Sequence, residues 1–341
     1  MKIQLIILCI LLVISDLIAS VGSASYQKLG MDARGIAMGR TASCISNGAS
    51  ALFWNPANLC IHSSSSQEKF DLMFSLMKYP NFDIEYLTSA VAFRRDKFGA
   101  GIGYIQYGVE NIPQYDNDMN YLGNFHDVER SLLLGFAFKV PYIMKVGVAL
   151  QGLTQGFNYE NTLKSEFEYS LGVRAGIILF PIYKYDRLLL SVVFNNRSFG
   201  SKDEMRPTTT AGCSWSSNES KRLYLKNIHV ITEIEQQKTF PIKLKFGSEI
   251  FVADIDNFKL FIRVGIDDII IETRSTLIRK DAKKYINLNE LIRLNKKSTC
   301  GFGLEMPPIK IIDKNIHVRF DYAFVNEAYR ALNFITVGYY W

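Results

Sequence analysis

The chain has 341 residues, 48% of them hydrophobic, and a formal net charge of +6. Its length suits one domain or two, and no low-complexity tract or linker divides it. Because the basic residues are spread along the chain, without a stripe of aromatic partners, a nucleic-acid-binding protein is not indicated.

Residues 1–24 have the pattern of a secretory signal peptide. Lys2 precedes an apolar run at 5–14, and small residues place the predicted cleavage site after Ala24. This run is too short for a transmembrane helix, which needs about 20 residues, and no later stretch approaches that length. The mature protein is therefore expected to be exported, either as a soluble protein or as a membrane β-barrel.

The next segment, 25–68, contains a stretch whose residues predict close packing against other parts of the protein. Small residues between Gly30 and Gly39 let the backbone approach other groups closely. A short helix is predicted at 47–53, and Asn55-Pro56 ends it because proline cannot continue a hydrogen-bonded turn. No catalytic motif occurs here.

These residues resemble the N-terminal signature of the FadL-like outer-membrane β-barrels, and within them the PorV/PorQ branch. Two positions depart from that pattern, because Arg40 and Asn58 stand where the family has glycine. The resemblance implies that the segment is a plug inside a barrel. The residues that carry it most clearly are Gly30, Arg34, Gly39, Trp54, Asn55 and Pro56.

Four cysteines remain after the predicted cleavage, at positions 44, 60, 213 and 300. Export makes a disulfide compatible with the compartment, and Cys44 and Cys60, which bracket the plug, are the best candidate pair. Buried, unpaired cysteines that act as small hydrophobic residues are at least as good an interpretation. No spacing typical of a zinc site is present.

From residue 69 to 341, apolar and polar side chains alternate with a period of two, which indicates β-strands. Fourteen strands are predicted, at 70–77, 83–94, 98–108, 129–139, 145–155, 169–180, 187–196, 208–217, 223–235, 242–252, 258–266, 299–306, 316–324 and 333–341. An even number of strands is what a closed antiparallel membrane barrel of one chain requires. The long connections, 109–128 and 267–298, both follow odd-numbered strands, which is the outer-membrane arrangement.

Several predicted strands carry charges on one face. A soluble sandwich cannot bury such charges in its core, whereas a barrel with lipid outside and a polar lumen can hold them inside. The sequence therefore predicts a fourteen-stranded antiparallel transmembrane β-barrel over 69–341. The predicted lumen charges are Arg174, Lys243, Lys245, Glu249, Lys259, Arg263, His317, Arg319 and Asp321.

The long connection at 267–298 contains a stretch with roughly helical spacing. Tyr285, Leu288, Leu291 and Ile292 lie in it. We interpret it as a helix outside the membrane that either meets a partner or caps the barrel, since long loops serve both purposes.

The chain ends on an aromatic residue, Trp341. Tyr339, Val337 and Ile335 share its strand face at period two. This pattern looks like the terminal signal that the barrel assembly machinery reads in outer-membrane proteins.

An enzyme is not indicated, and no cofactor or metal site is predicted. The four histidines are scattered, and no nucleophile elbow is present. His317 and Asp321 share a strand face, but a solvated lumen pair with Arg319 is a better interpretation than a proton relay. Gly99, Gly101 and Gly103 alternate on one strand and indicate a smooth barrel face rather than a phosphate-binding loop.

Function follows from the resemblance. The PorV-like branch implies a non-enzymatic accessory of type IX protein secretion that contacts secretion subunits and exported cargo. The wider FadL likeness implies the alternative, a transporter for hydrophobic small molecules, which would need an apolar pocket near the plug and a break in the wall. The charged lumen and the lack of an obvious apolar lumen stripe lean against the transporter. A purely structural barrel among outer-membrane lipids is the third interpretation.

Overall fold

The structure is a computed structural model. It describes residues 29–60, 69–78, 84–95, 97–140, 143–159, 165–181, 187–199, 207–217, 226–237, 241–271, 292–311, 314–327 and 330–341. The predicted signal peptide lies outside the described residues. Within them, no helix is long and apolar enough to cross a membrane.

The described chain forms one closed antiparallel β-barrel, as the sequence predicts. Strands β1 to β12 pair with their neighbours in chain order, β14 pairs with β12 and β15, and β15 returns to pair with β1. The short β13 pairs only with β14, so fourteen strands make the wall. The strands are β1 (Lys69–Lys78), β2 (Ile84–Arg94), β3 (Phe98–Tyr115), β4 (Tyr121–Val140), β5 (Met144–Tyr159), β6 (Ser165–Leu179), β7 (Leu188–Phe199), β8 (Thr208–Ser216), β9 (Lys226–Gln237), β10 (Ile242–Ile255), β11 (Phe258–Ile271), β12 (Ile292–Glu305), β13 (Ile309–Ile311), β14 (Lys314–Glu327) and β15 (Arg330–Tyr340).

The predicted long connections are partly wrong, because four strands extend further than the periodicity indicates. β3 continues to Tyr115 and β4 begins at Tyr121, so little of 109–128 is loop. The pairing shifts register between Val109 and Ile112, which interrupts the alternation of side chains there. Backbone pairing continues past this irregularity, and a pattern of side chains alone does not reveal it.

The helix predicted at 285–294 is also wrong at its end. Ile292 is the first residue of β12 and pairs with Ile271. Tyr285, Leu288 and Leu291 lie outside the described residues, so partner contact by this loop stays a prediction.

The two ends of the barrel differ, and we name them by their connections. The turn end carries the β2–β3 connection, where Arg95 and Phe98 exchange backbone hydrogen bonds, and the tight turn at Asp256-Asn257. Both residues of the second turn have positive φ, at 51° and 68°, the conformation of the two-residue hairpin turns that match the twist of paired strands. The loop end carries the β3–β4 and β11–β12 connections.

The outer surface of the wall is apolar. On β4, the large side chains of Leu132, Leu134, Phe136 and Phe138 are exposed, whereas the residues between them are buried inside the barrel. Lipid acyl chains cover such a surface in an outer-membrane barrel.

The N-terminal segment 29–60 lies inside the barrel as a plug. It contains two short helices, α1 (Ala33–Ala37) and α2 (Ala51–Trp54), and two 3-10 turns at Gly48–Ser50 and Pro56–Leu59. The predicted helix at 47–53 is thus a 3-10 turn followed by one turn of α-helix. α1 contacts β12 and β14, and the last 3-10 turn contacts β4, β5 and β6. Most plug residues are fully buried.

Candidate functional site

The plug touches the wall where the wall strands carry inward-facing glycines. At Gly265, a Cβ atom would overlap the backbone of Met38 and Gly39, and at Gly99 it would overlap the carbonyl of Leu59. The predicted smooth face on β3 is therefore part of the surface that receives the plug. The wall glycines that meet plug atoms in this way are Gly99, Gly101, Gly103, Gly135, Gly147, Gly176, Gly212, Gly247, Gly265 and Gly301.

Trp54 contacts other residues of the plug motif that the sequence predicts. Its indole ring covers Gly30 and Gly35, where a Cβ would come within 2.9 Å and 2.7 Å of ring atoms. Its Nε1 donates to Asp32 Oδ1 at 2.5 Å, and the other carboxylate oxygen of Asp32 caps α1 by accepting from Gly35 N at 3.4 Å. Burial raises the pKa of the Asp32 carboxyl, and the Trp54 hydrogen bond opposes that rise.

Asn55 and Asn58 fold the plug back on itself. Asn55 Nδ2 donates to Ser43 O at 2.9 Å, and Asn55 Oδ1 accepts from Ala57 N at 3.0 Å. Asn58, at a position where the resembled family has glycine, donates to Ser43 O and Ser46 Oγ, both at 3.2 Å. This departure from the family pattern therefore adds two hydrogen bonds within the plug.

A buried ion-pair network joins the plug to strands β10, β11 and β14. Arg34 of α1 makes a two-pronged contact with Glu249, at 2.9 Å and 2.7 Å. Glu249 also accepts from Arg263 Nε at 2.7 Å, Arg263 reaches Asp321 at 2.9 Å, and Arg319 lies 2.9 Å from Asp321. The Arg263 side chain is fully buried and that of Glu249 is 3% exposed. We call these five residues the Glu249 network.

A second contact lies at Arg40, the other position where the family has glycine. Its φ is 57°, in the left-handed region that favours glycine. The buried guanidinium pairs with Asp267 of β11. Lys245 lies 3.8 Å from Asp267 and 2.7 Å from Glu235. The ion pair with the wall offsets the energetic cost of the left-handed backbone conformation that Arg40 adopts.

Arg174 of β6 holds the plug from a third direction. Its Nη1 donates to Phe53 O at 2.6 Å, and the guanidinium lies 4.3 Å from the centre of the Phe53 ring. Most predicted lumen charges thus contact the plug or one another rather than lining an open pore.

Part of the opposite side of the lumen is apolar, contrary to the sequence-based expectation, although Arg94, Glu129, Lys145 and Gln151 are buried on the same strands. Buried apolar side chains of β1 to β5, β14 and β15 form one cluster with Met31, Ile36 and Leu52 of the plug. We call this wall the apolar side, and the wall of β9 to β12 the charged side. The apolar side consists of Met73, Met77, Tyr86, Ala90, Ala92, Ile105, Leu133, Ala137, Leu153, Ala323, Val325, Leu332 and Phe334.

Toward the loop end, the lumen face of β4 and β6 carries polar groups without partners. Asp127 Oδ1, Glu129 Oε2 and Ser170 Oγ are buried and accept no hydrogen bond. Glu129 is 6% exposed and Ser170 is 7% exposed. Such orphaned groups are rare in native structures and call for an explanation. Apolar Leu153 pairs with Ser170, and Ile105 pairs with Ser131, two residues along β4 from Glu129.

The wall itself is closed along its described strands. The pairing of β6 with β7 shifts register between Val173 and Ala175, but hydrogen-bonded pairs continue on both sides of the shift. This is a β-bulge and not the break that a lateral passage would need.

Cys44 and Cys60, the candidate pair, are not joined by a disulfide. Both side chains are buried. Cys44 Sγ lies 3.1 Å from Ser191 Oγ, and burial raises the pKa of its thiol to about 12. The alternative interpretation, small buried side chains, describes both residues.

His317 and Asp321 do not form a relay. Asp321 pairs with Arg319 and with buried Arg263, but it is itself buried and not solvated as the sequence-based interpretation expects. The His317 ring instead stacks on Tyr340, with ring centres 4.8 Å apart.

The chain terminus lies at the seam where the barrel closes. Trp341 N and O exchange hydrogen bonds with Phe70 at 3.1 Å, and the two rings stack at 4.4 Å. Tyr339, Val337 and Ile335 of β15 share the outer face. Recognition of this strand by the assembly machinery remains a prediction.

Comparison with known proteins identifies the fold. No family model and no curated protein matches the chain. Among solved structures, the toluene transporter TodX of Pseudomonas putida matches with a TM-score of 0.58 and 13% identity, over 91% of this chain and 98% of that one. The chain has the fold of this barrel.

Two further structures show the same likeness. The CymD monoaromatic hydrocarbon channel matches with a TM-score of 0.56 and 10% identity, over 92% of this chain and 97% of that one. A FadL homologue of Pseudomonas aeruginosa matches with a TM-score of 0.52 and 11% identity, over 91% and 98%. TodX is a toluene transporter and CymD a hydrocarbon channel. At these identities the likeness shows the fold, and it does not extend to the PorV/PorQ branch or to a role in protein secretion.

Proposed function

We propose that this protein is an outer-membrane transporter for small, neutral, hydrophobic molecules, the alternative that the sequence leaves open. The observation that carries the proposal is the apolar side of the lumen, which joins the plug at Leu52 and Met31. A FadL-type transporter needs an apolar pocket beside its plug, which the sequence alone does not indicate. The structurally similar TodX, a toluene transporter, and CymD, a hydrocarbon channel, agree with this cargo class.

The unpartnered acids toward the loop end favour neutral cargo over fatty-acid anions. Asp127 and Glu129 face the lumen, and within the described residues neither has a cationic partner. A carboxylate cargo arriving there would lose hydration without finding a cationic partner on these groups, which is unfavourable. A neutral hydrocarbon avoids this cost and gains from contact with the apolar side.

Transport requires the plug to move. The plug occupies the lumen against both sides of the wall, and the described wall is closed. Cargo would therefore enter from the loop end, displace plug contacts on the apolar side, and leave after the plug has shifted. Apolar cargo can replace apolar plug contacts at small energetic cost, whereas it cannot replace the ion pairs of the Glu249 network.

The test is uptake by cells of a Gram-negative host that lacks hydrocarbon-uptake barrels of its own. We expect the protein to raise uptake of labelled toluene and to leave uptake of labelled octanoate near background. Leu153→Asn, on the apolar side, should lower toluene uptake, whereas Lys259→Gln, a partly exposed pair at the turn end, should not. Equal uptake with and without the protein would overturn the proposal.

A measurement on the protein extracted gently from its own outer membrane distinguishes the transport proposal from the secretion hypothesis. Native mass spectrometry should show adducts of small hydrocarbon mass on the barrel. Co-isolated exported proteins and secretion subunits without such adducts would favour the accessory role instead.

A further inference from the structure

The outer face of the wall carries a groove between β3 and β6. Its cavity volume is about 670 Å³, within the roughly 300–1,000 Å³ range of ligand sites. The groove exists because Gly152 of β5 faces outward between Leu132 and Leu171, its paired residues on either side. A Cβ at Gly152 would have no heavy atom within 4 Å, unlike the lumen-facing glycines that the plug covers.

The floor of the groove is apolar and faces the membrane. Leu132 is 53% exposed and Leu171 is 64% exposed, and both lie on the face that continues into the apolar belt of β4. Tyr104 pairs with Leu132 and flanks the groove on β3. Its hydroxyl donates to Gln106 Oε1 at 2.8 Å, which fixes the ring beside the floor.

The rim toward the loop end is polar and carries a single charge. The next row of paired residues runs Gln106, Arg130, Thr154 and Tyr169. Arg130 is exposed, and its neighbours in this row are uncharged. Tyr169 is 71% exposed beside it. An arginine with a tyrosine at the edge of an apolar belt marks the level of lipid head groups.

The occupant must come from the membrane and not from the lumen. Pairing of β4 with β5 and of β5 with β6 runs without a register shift past the groove. The inward neighbours Ser131, Leu153 and Ser170 are buried on the other side of this unbroken sheet. The wall therefore separates the groove from the plug and from any transported cargo.

We propose that this groove binds one anionic phospholipid of the leaflet at the loop end. An acyl chain lies over Gly152 between Leu132 and Leu171, and the phosphate accepts from the Arg130 guanidinium. Arginine binds phosphate oxygens with a two-pronged geometry that a zwitterionic head group, with its own ammonium, satisfies less well. The lipid fills a gap in the outer wall that no side chain of the described residues fills.

The experiment is native mass spectrometry of the full-length protein in a neutral detergent with added phosphatidylglycerol or phosphatidylcholine. The wild type should retain one phosphatidylglycerol at least about tenfold more tightly than phosphatidylcholine, the difference expected for a charge-assisted hydrogen bond. Arg130→Gln should abolish this preference. Gly152→Leu, which fills the groove, should lower retention of both lipids.

Two matched variants serve as controls. Ala175→Leu adds the same side chain to the outer face away from the groove, and Arg187→Gln removes a charge at the turn end. Both should bind like the wild type, and heat-dependent gel mobility should show that every variant is folded. Equal retention of the two lipids by the wild type, or undiminished phosphatidylglycerol binding in both Arg130→Gln and Gly152→Leu, would overturn the proposal.

Discussion

The two sides of the lumen hold the same plug by different physical means. On the charged side, Arg34 and Arg40 reach wall carboxylates through directional contacts that need both partners in place. On the apolar side, Leu52, Met31 and Ile36 pack against small and aliphatic side chains. Hydrophobic contacts are non-directional, so a bound hydrocarbon can substitute for them.

This difference indicates how the plug would move. Separating a buried ion pair leaves charges without partners in a low-dielectric interior. Separating apolar surfaces costs little if another apolar molecule takes their place. The charged side is therefore expected to act as an anchor, and the apolar side as the part that opens around cargo.

The largest expected effect is on the charged side. Glu249→Gln removes one of the two carboxylates of the Glu249 network. Asp321 is then the one carboxylate of that network left for the guanidinium groups of Arg34, Arg263 and Arg319. Breaking a buried pair by removing one partner costs about 3–5 kcal/mol. Urea unfolding in detergent, followed by heat-dependent gel mobility, should show this loss.

Lys259→Gln is the matched control for that variant. The Lys259 side chain is 41% exposed, and ion pairs open to solvent contribute about 0–1 kcal/mol. If the two variants unfold at the same urea concentration, the Glu249 network does not anchor the plug.

The next effect lies on the apolar side, at Leu52. Its side chain is fully buried and reaches the wall at Gly101 and Gly135. Leu52→Ala should cost about 2–5 kcal/mol, the range for a leucine truncated in a core. Saturating toluene should recover part of the lost stability, because dry apolar cavities bind small aromatic molecules.

Glu249→Gln provides the contrast for the toluene experiment. Toluene cannot supply a missing carboxylate, so the rise in unfolding midpoint that it causes in this variant should not exceed its rise in the wild type, whereas the rise for Leu52→Ala should. A rise beyond that of the wild type in both variants, or in neither, would contradict the distinction between the two sides.

The sequence predicts the wall better than it predicts the contacts of the plug. Period-two alternation places Glu249, Arg263 and Asp321 on the lumen face without any knowledge of the fold. It does not identify Arg34 as their partner, because that contact joins residues 215 positions apart and depends on strand register and plug position together. Arg34 is noticed in the sequence only as part of a resemblance.

The apolar side is hidden in the sequence for a different reason. Leu133 faces the lumen between Leu132 and Leu134, which face lipid, and Ala92 lies between outward-facing Val91 and Phe93. Where both faces of a strand are apolar, no alternation marks the inner one. Period-two alternation therefore identifies a lumen-facing stripe only where that stripe is polar. For this reason the sequence predicts a more charged interior than the structure has.

A smaller effect tests the close approach of plug and wall. Gly265→Ala would place a Cβ against the backbone of Met38 and Gly39, and such overpacking costs about 1–3 kcal/mol. Gly152→Ala, on the outer wall, meets nothing within 4 Å. It should be neutral or stabilising by up to about 1 kcal/mol, since glycine weakens a strand relative to alanine. Equal urea midpoints for the two variants would show that the plug does not rest on the wall glycines.

The smallest effect concerns Asp32, which lies near both Arg34 and Asp321. Burial raises the pKa of its carboxyl, so the folded protein keeps this proton at pH values where the unfolded chain has lost it. The associated stability is fully present below the ordinary pKa near 4 and is lost as pH rises through the folded pKa. The slope of the unfolding free energy against pH is at most about 1.4 kcal/mol per pH unit within that window.

Asp32→Asn removes the titration but keeps an oxygen that can cap α1. Unfolding free energies of both proteins should therefore differ most in favour of the wild type near pH 4, and this advantage should shrink toward neutral pH. An advantage that is constant or grows with pH would mean that the Asp32 carboxyl is held ionised, and that the ion pairs of the charged side extend to the N-terminus of α1.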